Sequence, residues 1–75
     1  MYTARNGFTI TDDVTRDGKK LRTVDDLLGA LQGREEFRSL PENTILDALY
    51  QATTKRKNYR DFDDLARYIA YYFVR

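Results

Sequence analysis

The chain has 75 residues, of which 13 are Lys or Arg, 12 are Asp or Glu and none is Cys or His, so its formal net charge is +1. This length suits one domain, whose core supplies only about 3–5 kcal/mol on its own. The absence of Cys excludes disulfides, and the absence of both Cys and His nearly excludes the common zinc and iron sites. We therefore expect a single domain over residues 1–75 without metal or cofactor, whose core is sufficient by itself. The alternative is that self-association adds stability.

The N-terminal sequence contains no apolar run of the length that a secretory signal or a membrane span requires. A chain without Cys is typical of a reducing compartment. We therefore expect a cytoplasmic protein that does not associate with membranes. Residues 1–6 show no hydrophobic period and are expected to be flexible.

A β-hairpin is predicted over residues 7–22. Asp17 and Gly18 form a turn signal, because a two-residue type I′ turn needs positive φ at both central positions. Folding the chain about this turn places Val14 opposite Leu21 on one face of the hairpin. The pattern therefore predicts two antiparallel strands in the N-terminal part of the chain.

The first helix is predicted over residues 23–32. Thr23 and Asp26 match a capping box, in which a hydroxyl and a carboxylate three residues apart satisfy each other's backbone N–H groups. Gly33 is a suitable residue to end the helix, and one further helical turn is expected within 34–40. The inward face has the spacing of a helical stripe and consists of Val24, Leu27, Leu28 and Leu31.

Two further helices are predicted in the second half of the chain. Pro41 suits the first turn of one helix, since its missing N–H would be unpaired there, and β-branched Thr53 and Thr54 should fray its end. Asn58 or Asp61 caps the last helix. The inward faces are Ile45, Leu46, Leu49 and Ala52 in one helix, and Phe62, Leu65, Ile69, Tyr72 and Phe73 in the other. The predicted fold class is α+β and mostly helical, with an N-terminal β-hairpin packed on three α-helices.

No catalytic site is predicted. Without His and Cys, two of the commonest acid–base and nucleophilic side chains are missing. Acidic residues such as Asp25 and Asp26 fall in first helical turns, where carboxylates are stabilised by the helix dipole. The short Asp-x-Asp-Asp run at 61–64 lacks the spacing of a calcium loop. We expect a protein that is not an enzyme and that holds no metal.

A basic segment lies between the last two predicted helices. Four cations and one tyrosine within six residues can contact phosphates or an acidic protein surface, and a tyrosine can stack on a base. Cations are also expected at a solvated helix C-terminus, where they meet the negative end of the helix dipole. The candidate binding residues of this segment are Lys55, Arg56, Lys57, Tyr59 and Arg60.

A second basic group lies at the tip of the predicted hairpin and further along its second strand. A basic β-ribbon can enter a DNA groove or follow the phosphate backbone. Cations on an exposed strand edge also prevent edge-to-edge aggregation, which is the alternative explanation. The candidate nucleic-acid contacts are Arg16, Lys19, Lys20 and Arg22.

The C-terminal helix is rich in aromatic residues. Tyr68 and Tyr71 lie off its predicted inward face, and Arg75 follows close behind. Tyrosine and arginine are enriched at the centres of protein interfaces. The alternative is that a small core wraps both rings partly. We predict partner binding through these three residues, ahead of the basic segments.

A helix-turn-helix is a further alternative for this pattern of helices. The predicted helices at 23–32 and 42–56 are joined by about nine residues, which exceeds the usual tight turn unless a short helix fills 34–39. The outward face of the second helix would then combine amides that can contact adenine with acids that repel phosphates. These residues are Glu42, Asn43, Asp47 and Gln51.

These features predict a small non-catalytic protein that acts through macromolecular interaction, with another protein as its partner. Its size is typical of accessory factors and inhibitors, for instance from phages or mobile elements. The alternative is a small DNA- or RNA-binding protein that uses the basic hairpin and the segment at 55–60. Both basic regions on one face would favour nucleic acid, whereas acidic pairs interrupting that face would favour a protein partner. Homodimerisation is compatible with either function.

Overall fold

Two short antiparallel strands form a hairpin at the N-terminus of the computed structural model, which describes residues 1–74. Strand β1 is Tyr2–Thr3 and strand β2 is Thr9–Asp12. Gly7 lies in the turn between them with φ of 89°, a left-handed backbone that favours glycine. The chain therefore has a hairpin at its N-terminus, but this is not the hairpin predicted over residues 7–22. Its first strand falls within residues 1–6, where the sequence predicted a flexible segment.

The hairpin predicted over residues 7–22 is reduced to a single antiparallel bridge between Val14 and Lys20. Its loop contains three residues and not two, because only Gly18 has a left-handed backbone, with φ of 82°. This one-residue change in register turns the side chains to the opposite face. Leu21 is 2% exposed and Val14 is 39% exposed, so the predicted pairing of these two residues is wrong.

Helix α1 is Val24–Gln32 and begins at the predicted capping box. The Thr23 hydroxyl accepts a hydrogen bond from the Asp26 N–H at 3.2 Å, and the Asp26 carboxylate accepts one from the Thr23 N–H at 3.2 Å. A single 3₁₀ turn follows at Glu35–Phe37, and it buries the Phe37 ring. The local signals in this part of the sequence therefore predicted both elements, but Val24, which was predicted to face inward, is 44% exposed.

Helix α2 is Glu42–Lys55 and continues through the threonines that were expected to fray it. The Thr53 hydroxyl donates a hydrogen bond to the Leu49 C=O at 2.8 Å and accepts one from the Asn6 side chain at 3.1 Å. These bonds satisfy the hydroxyl inside the protein and tie the N-terminal turn to the helix. Tertiary contacts thus outweigh the weak helix propensity of a β-branched residue.

Helix α3 is Phe62–Ile69, and Asp61 is its N-cap, as one of the two predicted capping residues. The Asp61 carboxylate accepts a hydrogen bond from the Asp64 N–H at 2.8 Å. A wider π-helical turn, Ala70–Val74, continues the helix. This change of helix type alters which of the last aromatic side chains face the core.

Strand β3, Asn58–Asp61, was not predicted from the sequence. It runs parallel to β2, with Tyr59 opposite Ile10, and completes a sheet in the order β1-β2-β3. Three of its four residues are polar, so no alternation of apolar residues marks it as a strand. The second half of the basic segment at 55–60 is therefore part of the sheet, whereas Lys55 ends α2.

The core lies where the sheet packs on the three helices, and the predicted fold class is confirmed: α+β and mostly helical. No helix in the described part of the chain is long and apolar enough to cross a membrane. The buried apolar residues are Tyr2, Phe8, Ile10, Leu21, Leu27, Leu28, Leu31, Phe37, Ile45, Ala48, Leu49, Ala52, Tyr59, Phe62, Leu65, Ala66 and Ile69.

Candidate interaction surface

The π-helical turn directs two tyrosines toward solvent. Tyr71 and Tyr72 are each 60% exposed, whereas Phe73 is half-buried against the core. The sequence predicted that Tyr72 faces inward, and that prediction is wrong. A π turn closes its hydrogen bonds over five residues, so side chains after Ala70 no longer follow the 3.6-residue period.

A row of aromatic rings connects these exposed tyrosines to the core. The Tyr68 ring is half-buried, with its centroid 5.9 Å from that of Tyr59 inside the protein and 4.6 Å from that of Tyr72. The Tyr72 centroid lies 4.8 Å from that of Tyr71. Edge-to-face and tilted contacts at these distances are favourable. We call Tyr68, Tyr71 and Tyr72 the aromatic patch.

The aromatic patch lines one side of a shallow groove of about 690 Å³. Two of the three patch residues, Tyr68 and Tyr71, were predicted as binding residues. Arg75 was predicted with them, and it lies outside the described residues. Four charged side chains and Ala70 line the rest of the groove, and the charged residues are Glu36, Arg56, Asp64 and Arg67.

Tyr59 belongs to the core and is not a surface residue. Its side chain is 1% exposed, and its hydroxyl donates a hydrogen bond to the Ala52 C=O at 3.1 Å. Burial, followed by the neighbouring Tyr68, raises the pKa of Tyr59 from 10.0 to about 12. The prediction that Tyr59 binds a partner or stacks on a base is therefore corrected, because its ring is covered by the protein.

The Arg56 side chain already has partners within the protein. Its guanidinium donates two hydrogen bonds to the Asp64 carboxylate, at 2.8 and 3.4 Å. The same group lies over the rings of Tyr59 and Tyr68, at 4.7 and 5.7 Å from their centroids. A guanidinium with a bidentate carboxylate partner and two aromatic contacts stabilises the fold. It is less available for an external phosphate than the sequence suggested.

The other cations of the basic segment diverge from one another. The Lys55 ammonium lies 5.5 Å from the centre of the Phe73 ring, and the Lys57 ammonium donates a hydrogen bond to the Asn6 C=O at 3.0 Å. The Arg60 side chain is 85% exposed, and it lies 3.9 Å from the carboxylate of its neighbour Asp61. The segment therefore does not form one cluster of solvated cations.

Carboxylates at the start of α3 separate the two basic regions. Arg16 comes within 3.8 Å of Asp63, which also accepts a hydrogen bond from Arg34 at 2.7 Å. Asp64 pairs with Arg56 in the same helical turn. The basic surface suggested by the sequence is thus interrupted by acidic side chains and partly neutralised by them.

Besides Arg16, three cations of the second basic group are exposed. Their side chains form no ion pair within residues 1–74. The α2 face considered for a helix-turn-helix is also exposed, and it carries two carboxylates and no cation. The three exposed cations without an ion pair in this part of the chain are Lys19 and Lys20 at the tip and Arg22 further along.

No group of three or more acidic side chains within residues 1–74 is arranged to hold a metal ion. No protein-family model matches the sequence, and comparisons with curated proteins and with solved structures give no significant match. The argument for function therefore depends on the surface of the molecule itself.

Proposed function

We propose that this protein is a small non-catalytic binding protein whose aromatic patch docks on another protein, as an accessory factor or an inhibitor. The observation that carries the proposal is the pair of exposed rings, Tyr71 and Tyr72, held against the half-buried Tyr68. Rings positioned before binding lose little side-chain freedom when a partner covers them. Tyrosines with a nearby arginine, here Arg67, have the composition of interface centres.

The distribution of charge supports a protein partner over a nucleic acid. Two of the groove's charged residues, Glu36 and Asp64, are acidic, and two, Arg56 and Arg67, are basic. Mixed charge around an aromatic centre resembles the polar rim of a protein interface. A phosphate backbone would instead be repelled by the two carboxylates.

Replacing Tyr71 and Tyr72 together by Ser is expected to weaken partner binding by at least about 30-fold, since truncating an aromatic anchor costs about 2 kcal/mol or more. Folding should change little, because both rings are largely exposed. Wild-type protein and the double variant are used as baits for affinity capture from the native host. The dissociation constant of the captured protein is then measured by calorimetry for both.

Tyr50→Ser is the matched control for this experiment. Tyr50 is 67% exposed on α2, beside a separate apolar groove that includes Leu46 and Leu49. The control should bind the partner as the wild type does. If Tyr50→Ser loses the partner while the double variant keeps it, the binding surface lies on α2 and the proposal fails.

Nucleic-acid binding through the hairpin tip is a second candidate function, favoured by the exposed cations Lys19, Lys20 and Arg22. Three phosphate contacts predict weak binding that falls about 40-fold between 50 and 200 mM salt, from a slope of about −0.9 per phosphate. Fluorescence anisotropy with random duplex and single-stranded DNA over a salt series measures this dependence.

Lys19→Gln with Lys20→Gln should abolish most of that binding, whereas Arg38→Gln, an exposed cation on another part of the surface, should reduce it less. Nanomolar, sequence-selective binding that resists salt would contradict the electrostatic mechanism. It would make nucleic-acid recognition the first function of this protein.

A further inference from the structure

Strand β3 is the last strand of the described sheet, so one of its edges has no neighbouring strand. The Thr9 N–H donates a hydrogen bond to the Lys57 C=O at 2.7 Å, and Tyr59 lies opposite Ile10. In a parallel ladder of this register, the backbone groups of Tyr59 point toward β2, and those of the residues on either side of it point away. Such an edge is a template for pairing with another chain.

Two side chains bond two of the four backbone groups that point away from β2. The Arg56 Nε–H donates a hydrogen bond to the Asn58 C=O at 2.9 Å. The Asp64 carboxylate accepts a hydrogen bond from the Arg60 N–H at 3.1 Å. A fourth strand would use the same C=O and the same N–H. Arg56 and Asp64 therefore occupy the edge in the place of a strand.

These two side chains are also locked to each other. The Arg56 guanidinium and the Asp64 carboxylate form a bidentate ion pair, with one contact of 2.8 Å and one of 3.4 Å. The guanidinium rests on the rings of Tyr59 and Tyr68, which limits its movement. One ion pair thus spans the edge from Asn58 to Arg60 as a single rigid cover.

We propose that the Arg56–Asp64 ion pair prevents the free edge of β3 from pairing with β3 of a second copy of this chain. Two identical edges can pair antiparallel about a two-fold axis. With that axis at Tyr59, Asn58 of each copy pairs with Arg60 of the other. The backbone N–H and C=O groups of Asn58 in one copy then face those of Arg60 in the other, at hydrogen-bonding positions of the ladder.

The same arrangement is complementary in charge. It places Lys57 of each copy opposite Asp61 of the other, and opposite charges across a strand pair are favourable. Within one copy, Lys57 bonds the Asn6 C=O and Asp61 caps α3, so this attraction adds to those bonds. The backbone groups and the charges therefore suit a second copy once the cover is removed. This inference does not depend on the aromatic patch or on its partner.

Removing the cover is expected to produce dimers. Asp64→Ala should self-associate at least about tenfold more tightly than the wild type. The substitution removes the acceptor of the Arg60 N–H, and a backbone C=O of a second copy can then accept that hydrogen bond. Sedimentation velocity over a concentration series measures the change. Asp64→Asn is the matched control, since it keeps an oxygen that can accept from the Arg60 N–H, and it should behave as the wild type does.

A third variant identifies the edge as the contact. Arg60→Pro in the Asp64→Ala background removes the edge N–H, and proline is tolerated on an exposed strand edge. It should return the protein to the wild-type state of association. Where Asp64→Ala does not fold, Arg56→Met, which keeps an aliphatic chain over the Tyr59 and Tyr68 rings, opens the same edge.

Two outcomes would overturn the proposal. One is a folded Asp64→Ala or Arg56→Met variant that associates no more tightly than the wild type. The other is a dimer that survives Arg60→Pro but is lost when Tyr71 and Tyr72 are replaced by Ser. In that case the aromatic patch is the contact between the copies.

Discussion

Leu28→Ala and Leu49→Ala are each expected to lower the free energy of unfolding by about 2–5 kcal/mol, the range for buried leucines elsewhere. Leu28 in α1 is 7% exposed and Leu49 in α2 is 5% exposed, so each side chain is almost fully removed from water. A domain of this length has only about 3–5 kcal/mol of core stability. Either substitution can therefore unfold most of the protein at room temperature.

Urea denaturation followed by circular dichroism measures both variants. Gln32→Ala and Gln51→Ala are the matched controls, because these residues lie on the same two helices and are exposed. Exposed substitutions usually change stability by less than about 0.5 kcal/mol. Wild-type urea midpoints for both leucine variants would show that α1 and α2 do not pack as the structure has them.

Raising the pH from 10 toward 12 is expected to remove about 2–3 kcal/mol of stability through Tyr59 alone, at about 1.4 kcal/mol per pKa unit. Burial first, and then the neighbouring Tyr68, raises the pKa of Tyr59 from 10.0 to about 12. The unfolded chain therefore loses this proton near pH 10, while the folded protein keeps it until about pH 12. The stabilisation is complete below pH 10 and is lost as the pH rises through 12.

Tyr59→Phe isolates this effect from the titration of the other alkaline groups. At neutral pH the variant should lose about 0.5–1.5 kcal/mol, the net value of one hydrogen bond. The cost stays small because the Ala52 C=O also accepts a hydrogen bond from the Arg56 N–H at 2.9 Å. Between pH 10 and 12, this difference in stability should fall to zero and change sign, so that the variant becomes the more stable protein, because only the wild type loses the stabilisation linked to the Tyr59 proton.

Denaturant melts at a series of pH values test this prediction, with ultraviolet absorbance to follow tyrosine ionisation. The wild type should contain one more late-titrating tyrosine than the variant does. Burial also raises the pKa of Tyr2, so the comparison between the two proteins is needed. Parallel pH dependences of the two proteins would mean that the Tyr59 hydroxyl is reached by solvent.

The sequence predicted only one of the two exposed tyrosines of the aromatic patch. Helical periodicity correctly turned Tyr71 outward, but it assumed a constant 3.6-residue period and so assigned Tyr72 to the core. The π-helical turn at Ala70–Val74 changes the period. No local signal in the sequence marks that change. The exposure of the second ring could therefore be seen only in the folded molecule.

For the basic segment, the error has the opposite direction. The sequence predicted a surface cluster, but Tyr59 lies in the core and Arg56 is paired with Asp64. Four of the six residues at 55–60 are cations, and that composition suggested either a binding surface for phosphates or an acidic protein, or a solvated helix C-terminus. Pairing with β2 turns the Tyr59 ring into the core. Asp64 then binds Arg56 over the ring. Charge counted along the sequence does not show which charges are already paired.

The sequence by itself determined the three helices and the α+β class, because caps and apolar stripes act between residues no more than a few positions apart. Only the tertiary structure decided the sheet, since β2 and β3 pair Ile10 with Tyr59 across most of the chain. Strand pairing depends on partners that are distant in sequence, and a polar strand carries no local mark of them. The same long-range contacts decided which tyrosines and cations remain at the surface.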